Sequence, residues 1–300
     1  MPRLPGLARL FLLAFALLAP LAAPGCAAPR TEQGPALWRL SDADSEIWLF
    51  GTVHLLPAEL KWQSAKVDRA FDAADTIYFE TQTDGAAEAT IGQLVATLGA
   101  NPPGVTLSSQ LNEADRALLA QICTQLKLDP AAFEKVRPWL AGVQLSVAFV
   151  MTQGLNPESG VERVFEKRAQ AAGKKRAYFE TSEQQLRFFA NLPREAEIGF
   201  LHSTLVEIRD EKENFDAINN AWATGDVKKM ATYFDGMTEE LGPEVYEALI
   251  VGRNRRWAEE IDQMMKGSGK TFIAVGAAHL IGKDSVTEML RAKGYKIEGP

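Results

Sequence analysis

Hydrophobic and polar positions follow helical spacing along most of the chain and give way to short β-prone runs in a few places. Ala36–Leu40 and Ile47–Phe50 flank the turn-rich stretch Ser41–Ser45, which is the pattern of a β-hairpin. Ala65–Ala73 has helical spacing and leads into Thr76–Phe79, a β-prone run that stops at Glu80. From Ile91 to Arg209 the helical period dominates, with Leu111 or Asn112 opening a helix to about Leu128. Trp139–Met151 is almost wholly apolar over 13 residues, too short to cross a bilayer, and reads as a buried core helix. Gly160–Ala172 is amphipathic and stops at Gly173, before a second short strand, Arg176–Phe179, that again ends at a glutamate, Glu180. Helical patterns then cover Glu183–Ala190, Arg194–Glu211, Phe215–Ala223, Val227–Phe234, Pro243–Val251 and Asn254–Lys266. Strand Thr271–Val275, helix Asp284–Ala292 and strand Tyr295–Ile297 close the chain. Strands interleaved with helices predict an α/β (α+β) fold around a mixed central sheet. No low-complexity linker divides residues 33–300, so they read as a single domain with a large helical insertion.

The N-terminus has a different pattern. Arg3 and Arg9 precede the apolar run Leu10–Leu18, and small residues and prolines follow as far as Ala28. A basic start, an apolar stretch and a small-residue cleavage zone describe a secretory signal peptide over residues 1–28. Pro20 interrupts the run too early for a transmembrane helix. The protein is therefore expected to be exported, either periplasmic or lipid-anchored in the cell envelope. Gly25-Cys26 suits lipoprotein processing, whereas Pro24 suits it poorly, and cleavage near Ala28 competes with it. A lipid on Cys26 would anchor the chain to a membrane without spanning it.

Charge and composition narrow the partners. With 32 basic and 39 acidic residues the chain carries −7, and losing Arg3 and Arg9 with the leader takes it to −9. A field of that sign repels phosphate backbones, so no nucleic-acid partner is expected. Two cysteines cannot build a disulfide scaffold, and Cys123, on an apolar helix pattern, reads as an inert core thiol. Three histidines leave little choice for any site built on imidazole.

The candidate chemistry lies at the ends of strands. Gly51-Thr52-Val53-His54 follows the run Ile47–Phe50, and Gly276-Ala277-Ala278-His279 follows Thr271–Val275. Each is a strand, a glycine, two small or apolar residues and a histidine. Tyr78-Phe79-Glu80-Thr81 recurs as Tyr178-Phe179-Glu180-Thr181, and the order His, Glu, Glu, His suggests two related halves facing each other. Side chains just past the carboxyl ends of strands converge on the crevice of an open α/β sheet. Imidazole with carboxylate suits Zn, Mn, Co or Fe, and a site with few protein ligands leaves room for an activated water. Glu80 or Glu180 would then be a ligand or the base that takes the water's proton. Arg253 and Asn254 would reach an anionic group or steady a developing oxyanion.

The same residues have plainer readings. A histidine after a strand is often a core or capping residue. Glu80 and Glu180 also read as solvated strand ends, Glu180 as a charge at a helix N-terminus, with Glu183 completing a capping box. His202 sits within a helical pattern and reads as structural, and Arg253–Arg256 reads as a solvated helix face. Gly-x-Ser-x-Gly, P-loop, His-Glu-x-x-His and Cys-x-x-Cys motifs are all absent, and those mechanisms lack support.

Several of these residues together resemble the TraB/GumN family, whose relatives include the Tiki metalloproteases. The resemblance is carried by Trp38-Arg39-Leu40, Ile47–His54, Phe79-Glu80, Phe179-Glu180-Thr181 with Gln184-Gln185-Leu186, Arg253-Asn254, Ala274–Gly282 and Gly294–Ile297. It implies an α/β fold of two strand-rich halves with a helical insertion. It also implies a divalent metal (Mn, Co or Zn) held by His54 and His279, with Glu80 as ligand or base, and a peptide or protein substrate. Glu180, Arg253 and Asn254 are added as further catalytic candidates. The expectation is an exported metal-dependent hydrolase, a peptidase. The alternative is a non-catalytic metal, haem or peptide binding protein of the cell envelope.

Overall fold

The hairpin forms where the turn residues place it. β1 (Leu37–Ser41) and β2 (Ser45–Thr52) pair antiparallel, and Asp42 closes the turn by accepting the Ser45 amide at 2.8 Å. The structure, a computed structural model, describes residues 34–82, 85–155, 159–210 and 215–300. The expected export segment, with Cys26, lies outside the described residues. Among the described residues no helix is long and apolar enough to cross a membrane.

From β2 the chain runs through α1 (Ala65–Ala73) to β3 (Thr76–Phe79). It then enters the helical insertion: α2 (Gly85–Leu98), α3 (Glu113–Leu126), α4 (Pro138–Thr152) and α5 (Val161–Ala171). Strand β4 (Lys175–Tyr178) follows, then α6 (Ser182–Ala190), α7 (Arg194–Arg209), α8 (Phe215–Ala223) and α9 (Val227–Phe234). Two short helices, α10 (Met237–Leu241) and α11 (Pro243–Tyr246), lead through a π-helical turn (Glu247–Val251) into α12 (Gly252–Met265). Strand β5 (Gly269–Gly276), α13 (Val286–Ala292) and β6 (Ile297–Glu298) complete the chain.

The strands form one six-stranded mixed sheet in the order β4-β3-β5-β2-β1-β6. β4, β3, β5 and β2 are mutually parallel, and the hairpin partner β1 and the short β6 make the antiparallel edge. Helices cover both faces, as a parallel sheet requires. On one face Phe50 and Phe272 meet Phe165 of α5, and Phe71 of α1 meets both Phe165 and Phe272. On the other, Tyr78 meets Phe179, which stacks on Trp257 of α12. Helices α3, α4 and α7 build a second core from Leu119, Ile122, Leu145, Phe149, Leu201 and Leu205. Cys123 is fully buried there, and burial pushes its thiol up to about 11, the behaviour of a packing residue.

Several boundaries differ from the sequence pattern. The sequence pattern leaves a gap between the helices Pro243–Val251 and Asn254–Lys266, yet Gly252 within it is helical (φ −64°, ψ −35°), and the chain turns through without stopping. A Cβ there would lie 3.0 Å from the Glu247 carbonyl, a tight approach that glycine avoids. Helix α13 starts later than Asp284 because Ser285 caps it through the Glu288 amide. The capping box before α6 is made by Thr181 and Gln184, while Glu183 pairs with Arg187 on the surface at 2.8 Å.

Candidate functional site

The parallel strands β2, β3, β4 and β5 deliver their carboxyl ends to one edge of the sheet. His54 lies two residues past β2, Glu80 one past β3, Glu180 two past β4 and His279 three past β5. The β3–β4 ladder continues beyond both strands, since the Glu180 amide donates to the Glu80 carbonyl at 2.9 Å. The two halves of the Tyr-Phe-Glu-Thr repeat are thus neighbours in space, and their carboxylates share partners. Gln185 donates to Glu80 at 3.3 Å and to Glu180 at 3.1 Å. Glu80 also accepts the Gly276 amide at 2.7 Å.

Arg253, from the first turn of α12, enters this cluster and is 4% exposed. It donates through Nη2 to Glu80 at 2.5 Å and to Glu180 at 2.8 Å, and through Nε to Glu180 at 3.1 Å. Buried carboxylates persist as anions only with such pairing. Burial pushes Glu80 toward the neutral acid, but Arg253, then the two histidines and the Gly276 amide, hold it down at about 2.

Asn254 sets His279. The Asn254 amide nitrogen donates to the Asp284 carbonyl at 2.7 Å, and that carbonyl only accepts. The amide oxygen therefore faces His279 Nδ1, 2.6 Å away, and Nδ1 carries the proton. Nε2 keeps its lone pair and accepts from Arg253 Nη1 at 3.2 Å. Burial first, and the Arg253 charge second, hold His279 down at about 3, so the ring is neutral. Trp257 packs on it with ring centroids 4.5 Å apart.

His54 is fixed from the other side of the sheet edge. Its Nδ1 lies 2.8 Å from the Glu162 carboxylate, which also accepts from Thr52 Oγ1. Glu162 sits in the first turn of α5, and the Val161 amide ties that turn to the Val53 carbonyl at 3.1 Å. Burial pulls the imidazole down, yet the Glu162 carboxylate outweighs it and lifts His54 to about 9. The charges of Glu80 and Arg253 also act on this ring.

The structure thus gathers Glu80, Glu180, His279, Arg253 and Asn254 into one buried cluster, with His54 within electrostatic reach. The solvated-face reading of Arg253–Arg256 holds for only part of that run. Arg255 and Arg256 are exposed, whereas Arg253 and Asn254 are buried. Arg253, Trp257 and Ile261 recur every four residues on one buried stripe, a spacing that already separates Arg253 from its neighbours. His202 on α7 pairs with Asp115 of α3 at 2.6 Å, away from the strand ends. Glu162, Gln185 and Trp257 complete the cluster and were not foreseen as site residues; Gln185 alone carried a hint, beside the Phe-Glu-Thr repeat. Bordering the cluster at Glu180, a cleft of about 630 Å³ opens along Tyr178, Phe179, Ser182 and Leu94.

The profile of the TraB/PrgY/gumN family matches residues 36–299, nearly every described residue. The chain belongs to that family. An uncharacterized protein of Treponema pallidum (strain Nichols) is 21% identical over 271 residues, 85% of this chain and 80% of its own. The uncharacterized protein YbaP of Escherichia coli (strain K12) is 22% identical over 190 residues, 63% of this chain and 70% of its own, and YbaP of Shigella flexneri matches equally. Membership of the TraB/PrgY/GumN family thus covers the strand ends and the site together.

The divalent metal that the TraB/GumN resemblance implies can be tested against these residues. Two imidazoles and a carboxylate suit a borderline divalent ion in kind. Each imidazole commits Nδ1 to a fixed partner, Glu162 or Asn254, the arrangement that orients a ligand through Nε2. Among the described residues, however, no three His, Cys, Asp or Glu side chains stand ready to hold an ion. The Arg253 guanidinium takes the lone pairs of Glu80 and of His279 Nε2. The donors fit the group in chemistry, and Arg253 holds them.

Proposed function

We propose that this protein is an exported metal-dependent hydrolase of the cell envelope, acting on peptide bonds, with a divalent ion (Mn, Co or Zn) held by His54, His279 and Glu80. The observation that carries this reading is the matched anchoring of the two strand-end histidines through Nδ1. Metal-ligating imidazoles almost always commit their second nitrogen to a fixed partner in this way. A bound divalent ion would polarise a carbonyl and lower the pKa of a water.

The chain's own residues divide the remaining work. Glu80, held near 2, is ionised throughout the physiological range, which suits a ligand and makes it a weak proton acceptor. Asn254 keeps His279 in the tautomer with a lone pair on Nε2. Glu162 orients His54 and Glu180 fixes Arg253. The cleft along Tyr178, Phe179 and Glu180 offers an extended peptide an approach to the buried cluster, lined by aromatic rings and by the hydroxyls of Thr181 and Ser182.

The test is a peptide-library digest by the purified protein with Mn, Co or Zn, with His54→Ala and His279→Ala alongside. Cleavage that requires metal and disappears in both variants, at unchanged circular dichroism, is expected. Equal turnover in both variants would remove the assignment. Stoichiometric metal or peptide binding with no product would favour the alternative of a binding protein.

A further inference from the structure

Arg253 spends its entire donor capacity inside the protein. A guanidinium has five N–H bonds. Nε–H lies 3.1 Å from both oxygens of Glu180. Nη1 serves His279 Nε2 at 3.2 Å and the Leu249 carbonyl at 3.3 Å. Nη2 serves Glu80 at 2.5 Å and Glu180 at 2.8 Å. The plane of the group is also packed against Trp257, 4.7 Å from the ring centre. No donor is left over for a substrate, and no lone pair that Arg253 takes from Glu80 or His279 is left over for an ion.

We propose that Arg253 is the resident cation of the metal-free site, and that a divalent ion enters by exchange with it while Glu180 keeps hold of the guanidinium. This rests on the metal reading above and adds to it a mechanism of loading. Three features of the cluster support it. First, two carboxylates in a water-poor interior are costly without positive charge beside them, so a site waiting for a metal must be compensated by something else. Arg253 supplies that compensation.

Second, the contacts divide unequally. Glu80 and His279 each receive one Arg253 donor, whereas Glu180 receives Nε–H and a share of Nη2. Losing the first two leaves Arg253 still paired with a carboxylate. Glu180 is in turn braced by the Trp257 indole N–H at 3.2 Å and by Gln185 at 3.1 Å, so it is built to stay in place. On this account Glu180 is a positioning residue that acts through Arg253.

Third, the charges leave room. His279 is neutral by the hydrogen-bond argument and the His54 imidazole is offset by the Glu162 carboxylate it faces at 2.8 Å, so Glu80, Glu180 and Arg253 leave one negative charge. Arg256 approaches Glu180 only from the rim, at 3.6 Å, with most of its side chain in water. An arriving cation meets a net attraction even with Arg253 present. The side chain lowers the affinity of the site without closing it, and it keeps the empty site folded.

Titration of zinc, manganese and cobalt chloride into the purified protein tests this, read by calorimetry and by thermal unfolding. Arg253→Met, Arg253→Lys and His279→Ala are compared with the wild type. Without metal R253M should unfold at a lower temperature, yet it should bind the ion about tenfold or more tightly than the wild type, with a larger rise in midpoint. R253K, a point charge without the planar fork, should lie between the two. H279A should lose binding. A merely structural Arg253 would lower the metal-free midpoint and leave affinity unchanged or weaker, and either result overturns the exchange.

Should R253M fail to fold, the wild-type protein labelled with ¹⁵N at arginine decides the matter. Zinc should shift the Arg253 Nε–H resonance, identified by its absence in R253K, and should leave it in place in H279A. A resonance unmoved at saturating zinc overturns the exchange while the metal site stands. Absence of binding by any of the ions, in wild type and variants alike, removes the metal reading and the exchange with it.

Discussion

Asn254 Oδ1 lies 2.6 Å from His279 Nδ1, and the other end of the same amide donates to the Asp284 carbonyl at 2.7 Å. One carboxamide therefore fixes both the orientation and the tautomer of the ring. Asn254 is completely buried, so an apolar replacement cannot pass its two partners to water. Asn254→Leu is expected to cost about 1–3 kcal/mol in urea-induced unfolding, from stranding the His279 N–H and the Asp284 carbonyl. An unchanged midpoint would show that this amide does not hold the ring.

Glu80 gives the fold an acid limit. Its carboxyl titrates near 2 in the folded protein against an ordinary value of 4.5. A group whose pKa is depressed by folding stabilises the native state above the unfolded value, and that stability is lost as pH falls toward the folded one. Stability should therefore decline between pH 4.5 and about 2, by on the order of 3 kcal/mol from this group. Glu80→Gln should unfold more easily at pH 7 and show a flatter acid limb. The measurement is the urea midpoint of both proteins at a series of pH values, and parallel curves would refute the assignment.

Much of this architecture was legible because its signals are local. β3 and the hairpin are short β-prone runs bounded by turn residues, and the glutamates and histidines sit at fixed offsets from the strand ends. What was not legible depends on distant packing. Nothing near Glu162 marks it as the partner of His54, because the contact exists only once α5 docks beside the end of β2. The gap left between the helices 243–251 and 254–266 closes for a related reason: a π-helical turn runs through Gly252 into the next helix, and a π turn has no short-range signature. Arg253 was legible as a candidate, but its pairing with Glu80 and Glu180 was not, because it stands in a basic run whose other arginines face water. The topology that places β5 between β2 and β3, and so unites the two motif pairs, has no short-range signature at all.

His54 gives the complementary alkaline limit. Folding raises its imidazole from 6.5 to about 9, with burial opposing and the Glu162 carboxylate prevailing. A raised pKa means that the stabilisation is complete below pH 6.5 and is lost as pH rises through 9. Glu162→Gln keeps the shape and removes the charge, so it should erase this alkaline decline and lower stability at pH 6 by about 1–3 kcal/mol. Thermal midpoints from pH 6 to pH 10 would decide, with an intact alkaline limb in E162Q counting against the pair.

Gly51 opens the first Gly-x-x-His motif at a point where two strand ends press together. A Cβ placed on Gly51 would lie 3.0 Å from Ala277 Cα and 3.2 Å from its Cβ. Ala277 starts the turn that carries His279, and the Gly51 carbonyl accepts the Trp222 indole N–H at 2.8 Å, so neither side has a flexible end to move aside. Gly51→Ala should therefore destabilise the fold by roughly 1–3 kcal/mol through overpacking. Because the closest contact is to backbone, adding Ala277→Gly should recover only part of that loss. Full recovery in the double variant, measured by the same unfolding midpoints, would place the clash in the Ala277 methyl alone and leave the turn free to shift.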